Sequence, residues 1–432
     1  MSWSTNIKIN LILSTEPMGR RILLSFLGKG PMDSKETRVY KTAEYHLGQE
    51  NLGHFPFVAA ALKKHYQFDG VLLVGTVHSM WEEVYRWYAA DRGMDIDDEV
   101  YFRIATECEH ADHSSPLALT DITAIEQVLG GASKAVLIRY GMDEDEVREN
   151  INIVLGLQQY LQNGDELIVD ITHSFRSLPI FIMNLLVYLQ NVSRKQIKIS
   201  HIHYGMLDVL GELGFAPIID LKSMMEVSDW ITGAYAFSEF GNAYKIAGLM
   251  DDEDKNVANM LREFSELMNL NHLHGIQSLS QRLSSIKNTR YETLLPELTV
   301  TPIVNDFIQR FKVPADRHAL FQLKVARWQL DHRKYAQALL TCNEAIITYV
   351  CEQNKLVWDD FDCRELAKDV LRWEPKRPES AEMICSEELK IIYNRMKRKR
   401  NSTAHQLMTE DNAASIIRML HRSVNKLEGI IK

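Results

Sequence analysis

Between Arg20 and about Asp220, short apolar runs alternate with stretches in which apolar residues recur about every three to four positions. The runs indicate buried strands, the spaced residues indicate amphipathic helices, and their alternation is typical of a mainly parallel sheet flanked by helices. Strands are predicted over Arg21–Leu27, Gly70–Val74, Glu99–Ala105, Lys134–Arg139, Glu166–Ile171 and Ile197–Tyr204. Helices are predicted over Phe57–Tyr66, Ser79–Ala90, Asp121–Val128, Asp145–Gln162 and Leu178–Val192.

Beyond Asp220 the apolar pattern is helical to the end of the chain. A mixed-polar helical segment extends from Leu221 to about Asn288, and the prolines within Leu295–Val304 predict a break. A helical bundle is predicted from about Ala315, with helices over Tyr335–Cys351 and Asn412–Ile431. The pattern therefore predicts an α/β domain followed by all-α structure.

Composition restricts the class of protein. The 432 residues exceed one ordinary core and suit two or three domains. Five cysteines without a Cys-x-x-Cys spacing favour neither a zinc ribbon nor disulfides, and fit a reducing cytoplasm. The apolar runs fall short of the roughly 20 residues that a membrane span needs, so no membrane association is expected.

The net charge of −9 disfavours long-range attraction of nucleic acid. Any RNA would therefore be bound by a local patch, and the candidate is the run Lys397-Arg398-Lys399-Arg400. The alternative interpretation of this run is a solvated basic helix face.

Three predicted strand ends carry residues suited to a phosphorylated ligand, which in such sheets binds at the carboxyl ends of the strands. The first strand ends in Gly28-Lys29-Gly30, the second in Gly75-Thr76, and the fifth in the segment from Asp170 to Arg176. Glycine lets backbone N–H groups approach an anion, and a helix N-terminus adds partial positive charge. Turn formation by the glycines, or helix capping by Thr172 or Ser174, is the structural alternative.

The order of these motifs resembles that of the CRISPR-associated CARF family, a Rossmann-like family with a DxTHG motif. The resemblance rests on these segments: Ile22 to Gly30 with Thr37 and Tyr40, Val74-Gly75-Thr76, Asp170 to Pro179, Tyr204-Gly205, and the helix within Asp220 to Gly241 with Trp230 and Phe237. It covers most of residues 20–245 and departs from the family at Ser174, where glycine is usual. The resemblance implies a dimeric domain that binds cyclic oligoadenylate, a tetra- or hexa-adenylate ring, as second messenger of type III CRISPR systems. The residues it implies for that ligand are Gly28, Lys29, Gly75, Thr76, Thr172, His173 and Arg176.

The segment Arg400 to His405 matches the RxxxxH pattern of HEPN ribonucleases, which the chain resembles together with the helix from Tyr335 to Ile346. Histidine exchanges protons near neutral pH and guanidinium binds phosphate, so the pair suits metal-independent RNA cleavage. Five helical steps leave the two side chains about 140° apart on an ideal helix. Either the helix begins or bends inside the motif, or two chains form a composite site.

The family uses the composite arrangement, which implies a homodimer or a higher oligomer. Asn401 is expected to position phosphate or the dimer contact, and Lys397, Arg398 and Lys399 to bind RNA. The residues Glu107, Glu109, His110, Asp112 and His113 are dense enough to suggest a metal, but are interpreted as a solvated polar loop.

Together these interpretations predict a CARF-like nucleotide-sensing domain over residues 18–225, a helical linker region over 226–314 and a HEPN-like ribonuclease domain over 315–432. The predicted function is a cytoplasmic endoribonuclease, activated by cyclic oligoadenylate and free of cofactors and metals, that cuts single-stranded RNA in type III CRISPR antiviral defence. The alternative is a non-enzymatic cyclic-nucleotide sensor that signals through a partner protein.

Overall fold

The computed structural model describes residues 19–34, 38–173, 178–283, 291, 294–404 and 413–432. Thr37, Ser174, Arg176 and His405 lie outside these residues, as does the side chain of Asn401. Packing divides the chain into two compact units, with the division between residues 226 and 227.

The first unit contains the strands. In the described residues they are β1 (Arg21–Leu27), β2 (Met32–Ser34), β3 (Val39–Tyr40), β4 (Ala43–Leu47), β5 (Glu50–Phe55), β6 (Gly70–Gly75), β7 (Lys134–Leu137), β8 (Glu166–Asp170), β9 (Lys198–Gly205) and β10 (Ala216–Asp220). Eight of them form one sheet in the order β5-β4-β10-β9-β8-β1-β6-β7, and β2 pairs with β3 separately. The five strands from β9 to β7 run parallel, whereas β10 is antiparallel to β9 and β5 is antiparallel to β4.

Helices cover both faces of this sheet. They are α1 (Val58–His65), α2 (Trp81–Asp91), α3 (Asp98–His110), α4 (Ile122–Leu129), α5 (Glu144–Gly156), α6 (Leu178–Asn191) and α7 (Leu210–Leu213). Along β1, Leu23 belongs to the core on one face, and Ile22 and Leu24 belong to the core on the other. Burial on both faces explains why the central strands are continuous apolar runs.

The second unit is helical in its described residues. Helix α8 (Ser223–Phe240) spans the division, and α9 (Tyr244–Met250), α10 (Lys255–Asn269), α11 (Leu273–Leu283), α12 (Leu294–Phe311), α13 (His318–Asp331), α14 (Tyr335–Gln353), α15 (Phe361–Val370), α16 (Glu387–Ala404) and α17 (Ala413–Ile430) follow. Two apolar cores form here, and α13 contributes residues to both. No helix in the described part of the chain is long and apolar enough to cross a membrane.

The predicted fold class, a mainly parallel sheet followed by helices, is confirmed. The predicted strand over Glu99–Ala105 is wrong, because this segment lies inside α3. Asp97 caps the helix by accepting hydrogen bonds from the backbone N–H groups of Glu99 and Val100. The buried residues Tyr101, Ile104, Ala105 and Cys108 then follow helical spacing.

The predicted break over Leu295–Val304 is also wrong. Helix α12 continues through Pro302, with Val300, Val304 and Phe311 buried at helical spacing. Burial of this apolar face outweighs the loss of one backbone hydrogen bond at the proline. Three strands of the main sheet were not predicted, namely β4, β5 and β10, which are short and carry polar residues.

Candidate functional site

Three of the strand ends singled out in the sequence lie side by side. Strand β1 is the immediate neighbour of both β6 and β8, with Leu27 opposite Gly75 and Ser25 opposite Asp170. All three strands are parallel, so the segments that follow them meet at one edge of the sheet. The structure thus brings together the neighbourhoods of Gly28, Thr76 and Thr172.

Asp170 organises the end of β8. Its carboxylate is fully buried and accepts a hydrogen bond of 2.5 Å from the Ser25 hydroxyl through Oδ2. Its Oδ1 accepts from the Thr172 backbone N–H at 2.9 Å and from the Thr172 hydroxyl at 2.6 Å. The Thr172 Oγ1 atom in turn accepts from the Gly205 N–H at 2.7 Å, which ties β8 to β9. The Thr172 side chain, predicted to bind ligand, therefore has a structural role in this turn.

His173 lies beside Gly28, at the end of the turn that follows β8. A Cβ atom on Gly28 would lie 3.3 Å from the His173 carbonyl oxygen and 3.6 Å from its Cβ, so the small residue permits this approach. The His173 Nε2 atom is enclosed and has no hydrogen-bond partner in the described residues. Burial lowers the pKa of His173, although Asp170 opposes the shift. The His173 side chain, predicted to bind ligand, is therefore enclosed within this turn.

Gly75 and Thr76 are both buried at the end of β6. A Cβ atom on Gly75 would lie 2.9 Å from Ser79 Oγ and 3.0 Å from the Leu27 carbonyl oxygen. The carbonyl oxygen of Thr76 accepts a hydrogen bond from the Trp81 indole N–H at 2.8 Å. These two residues were predicted to bind ligand, but in this structure they pack the start of α2 against the sheet.

Replacing Gly75 by alanine should therefore destabilise the first unit. The added methyl group would press against backbone and a buried hydroxyl, and overpacking of this kind costs about 1–3 kcal/mol. The urea midpoint of Gly75→Ala should fall clearly below that of the parent protein. Gly211→Ala is the matched control, because a Cβ atom there meets nothing within 4 Å. Equal midpoints for the two variants would contradict this packing role.

Lys29 points to a cavity of about 500 Å³ at the same edge of the sheet. Its ammonium group donates to Nε2 of His78 at 2.6 Å, and Nδ1 of His78 donates to the Cys108 carbonyl oxygen at 2.9 Å. Both ring nitrogens of His78 therefore have a hydrogen-bond partner, which fixes the orientation of the ring. Lys29 is exposed, so its charge faces solvent at the rim of the cavity.

Several residues of this cavity were not predicted from the sequence. They include Arg38, His78 and Glu82, which join Lys29 and Tyr40 in its lining. Arg38 forms ion pairs with Glu109 and, at 3.7 Å, with Glu82. The signal available in the sequence was Tyr40, which already belonged to the resemblance.

The inner wall of the cavity carries a buried carboxylate. Glu82 is 1% exposed and accepts a 2.7 Å hydrogen bond from the Tyr40 hydroxyl. Burial raises the pKa of Glu82, while the Tyr40 hydrogen bond and Arg38 oppose the rise. Burial and the charge of Glu82 also raise the pKa of the Cys108 thiol, which is therefore unsuited to act as a thiolate. The cavity lining thus contains the cations Lys29 and Arg38 together with the buried carboxylate of Glu82 and the hydroxyl of Tyr40.

The acidic and histidine-rich segment from Glu107 to His113 was interpreted as a solvated loop, but it includes the last turns of α3. Glu107 accepts from the Thr120 backbone N–H at 3.0 Å, and Asp112 accepts from the Ser114 N–H at 2.8 Å. Among the described residues, no group of three or more potential ligands is arranged to hold a metal ion.

In the second unit, Arg400 lies on α16. Its Nε atom is enclosed and has no hydrogen-bond partner in the described residues. Tyr393 and Lys397 lie on the same side of the helix, at one-turn spacings, and the Lys397 ammonium group lies 5.7 Å from the Tyr393 ring centre. His405 lies outside the described residues, so the structure does not test its distance from Arg400.

The four consecutive cations of α16 do not form one surface. Successive helical residues are about 100° apart, so the side chains spread around most of the helix. Lys397, Lys399 and Arg400 are half-buried, and Arg398 is exposed. Lys397 and Arg400 share a side, whereas Arg398 faces away from them.

Comparison with known families and proteins covers most of the chain. Residues 22–207 match the model of the CARF domain of the CRISPR system endoribonuclease Csx1, and residues 226–317 match that of the second domain of the CRISPR-associated protein MJ1674. The chain is 33% identical over 399 residues to the CRISPR-associated protein MJ1674 of Methanocaldococcus jannaschii. That alignment covers 89% of this chain, which spans 62% of the length of its relative.

One similar solved structure is Enterococcus italicus Csm6 bound to cyclic hexa-2′-fluoro-hexa-dAMP. The alignment covers 96% of this chain and 93% of the other, with 13% identity and a TM-score of 0.40.

Proposed function

We propose that the chain is a ligand-activated endoribonuclease, from the premise that residues 22–207 match the model of a CARF domain. Cyclic oligoadenylate, as the tetra- or hexa-adenylate ring, is the activator, and single-stranded RNA is the substrate. Cleavage requires no metal and takes place in a homodimer or a higher oligomer, as part of type III CRISPR antiviral defence.

The observation that supports sensing is the cation-rimmed cavity at the carboxyl edge of the sheet, within the segment that matches the CARF model. Lys29 and Arg38 supply positive charge for phosphates, and the polar wall around Glu82 and Tyr40 offers hydrogen bonds to nucleobase or ribose. Gly28 leaves the backbone accessible next to His173. Arg176, which lies outside the described residues, is proposed as a further phosphate ligand.

The proposed chemistry uses Arg400 and His405. The ribose 2′-oxygen attacks phosphorus, the 5′-oxygen leaves, and His405 exchanges protons with these oxygens. Arg400 stabilises the extra negative charge on the phosphoryl oxygens. Asn401 positions the phosphate, and Lys397, Arg398 and Lys399 add electrostatic attraction for the RNA strand. The segment from Arg400 to His405 resembles the RxxxxH pattern, which supports this assignment. The Nε atom of Arg400, which has no hydrogen-bond partner in the described residues, is compatible with a phosphate ligand.

An activation series tests this function. The purified chain should cleave a labelled single-stranded RNA with cyclic tetra- or hexa-adenylate, and much more slowly without it. Cleavage should persist in excess EDTA, since no metal takes part. Calorimetry with the same rings gives ligand affinity independently of cleavage. Failure of both rings to activate would refute the proposal, and ligand binding without cleavage of any RNA would support the non-enzymatic sensor instead.

A further inference from the structure

A short segment after α15 exposes an aromatic side chain among cations. In residues 371–377, termed the Trp373 loop, the Trp373 side chain is 58% exposed. Its charged neighbours are the cations Arg372, Lys376 and Arg377 and one carboxylate, Glu374; all of them except Arg372 are exposed. Exposed aromatic rings with adjacent cations are the means by which proteins bind single-stranded nucleic acid, because bases stack on the ring and phosphates pair with the cations.

Buried hydrogen bonds fix the path of this loop. Asp369, which is 4% exposed, accepts from the backbone N–H groups of Lys376 and Arg377 at 2.8 and 2.9 Å through one carboxylate oxygen. The loop therefore presents Trp373 from a fixed backbone. An ordered loop loses less entropy on binding than a free one.

The Trp373 loop is also tied to the helix that carries Arg400. The Asn394 side-chain amide on α16 donates to the Leu371 carbonyl oxygen at 2.7 Å. This contact places Arg372 beside α16, one to two turns from Arg400 along the helix. The Nε atoms of Arg372 and Arg400 are both enclosed without a hydrogen-bond partner in the described residues.

Charge around this junction is predominantly positive. Burial lowers the pKa of Lys397, and the charges of Arg372, Arg400 and Lys368 lower it further. Two of the nearby carboxylates are already engaged, since Glu365 pairs with Lys368 at 2.8 Å, and Asp369 holds the loop and lies 3.4 Å from Arg372 Nε. The third, Glu374, is exposed in the loop itself. Cations held close together repel one another, and a bound polyanion relieves that repulsion.

We propose that the Trp373 loop is a binding site for single-stranded RNA, in which Trp373 stacks on a base and Arg372 contacts a phosphate on the way to Arg400. The proposal rests on the proposed function in that RNA is taken as the substrate of the second unit. The site favours a single strand over a duplex, because only unpaired bases can lie flat on the indole. The Trp373 loop, which follows α15, thus adds a second RNA contact to that of the cations on α16.

Binding is measured by fluorescence anisotropy of a labelled single-stranded RNA on full-length His405→Ala protein, so that cleavage, or its absence, does not affect the result. Trp373→Ala should weaken binding about tenfold, consistent with the loss of one stacked base. Trp373→Phe should retain most of the affinity, since it keeps a ring. Arg372→Ala should reduce the slope of log Kd against log salt by about 0.7, the value for one phosphate contact on a single strand.

Phe361→Ala is the matched aromatic control, because Phe361 is 73% exposed at the opposite end of α15. Lys426→Ala is the cation control, since Lys426 is exposed on α17 and pairs with Glu388. Both should bind RNA like the parent, and all variants should keep its melting temperature. Equal affinity of Trp373→Ala and Phe361→Ala proteins, an unchanged salt slope for Arg372→Ala, no RNA affinity in the parent, or equal affinity for duplex RNA would each overturn the proposal. Loss of affinity in these variants with no cleavage by the native chain would retain the RNA site and refute only the nuclease.

Discussion

Replacing His405 by alanine should reduce ligand-activated RNA cleavage by about 10²–10⁴-fold, the usual contribution of a positioned acid–base group. The affinity for cyclic oligoadenylate should stay at the parental value, because the proposed ligand cleft lies on the first unit. Single-turnover cleavage at saturating activator, with calorimetry of the same protein, measures both quantities. Cleavage within threefold of the parental rate would remove His405 from the mechanism.

Arg400→Ala should reduce the rate by a comparable factor of about 10²–10³, since a lost charge-stabilising donor costs this much in transition-state binding. Arg400→Lys should recover little, because an ammonium group lacks the planar fork of donors. Mixing the His405→Ala and Arg400→Ala proteins tests the composite site. If each site takes its arginine from one chain and its histidine from the other, the mixed dimer regains one intact site and the mixture regains activity.

The central sheet could be predicted because its strands are buried on both faces. Gly70–Gly75 is buried throughout, and β1 is buried from Ile22 to Leu27, so each appears in the sequence as an apolar run, with Ser25 as the one polar residue in β1. Strands β4 and β5 gave no such signal, because polar residues such as Glu44 and Asn51 occupy their exposed positions. The strand predicted over Glu99–Ala105 was wrong for a different reason. The core residues of α3 lie close together in the sequence, and the capping residue that marks the start of the helix, Asp97, precedes the apolar pattern.

The candidate site was only partly predictable for a related reason. Gly28, Lys29 and His173 follow strands directly, so the sheet itself brings them to one edge. Arg38 comes from a segment with no periodic signal, whereas Glu82 lies within a predicted helix whose position in the fold was not predicted. The two residues meet because α2 packs back across the end of β1. Gly75 and Thr76 have the residue types of a ligand site, yet Trp81 and Ser79 fill the space around them. Residue type and position at a strand end therefore predict the location of the site better than its contacts.

Replacing Asp170 by alanine should destabilise the first unit by about 3 kcal/mol or more. The change leaves the Ser25 hydroxyl, and the hydroxyl and N–H groups of Thr172, without their acceptor, and each unsatisfied buried group costs about 1–3 kcal/mol. The urea midpoint should fall, whereas Asp95→Ala, at an exposed position, should leave it unchanged. A fall no larger than that of the control would contradict the role given to this carboxylate.

The same network should link stability to ligand binding. In Asp170→Ala protein, the Thr172 side chain loses the contact that orients it towards the Gly205 N–H, so the turn that carries His173 is no longer fixed. Cyclic oligoadenylate affinity should therefore fall in conditions where the protein is still folded. Adding Ser25→Ala should recover part of the stability, because it removes one of the unsatisfied hydroxyl groups. It should recover none of the ligand affinity, since Thr172 still lacks its acceptor. This difference separates the contribution of Asp170 to stability from its role in fixing the turn that carries His173.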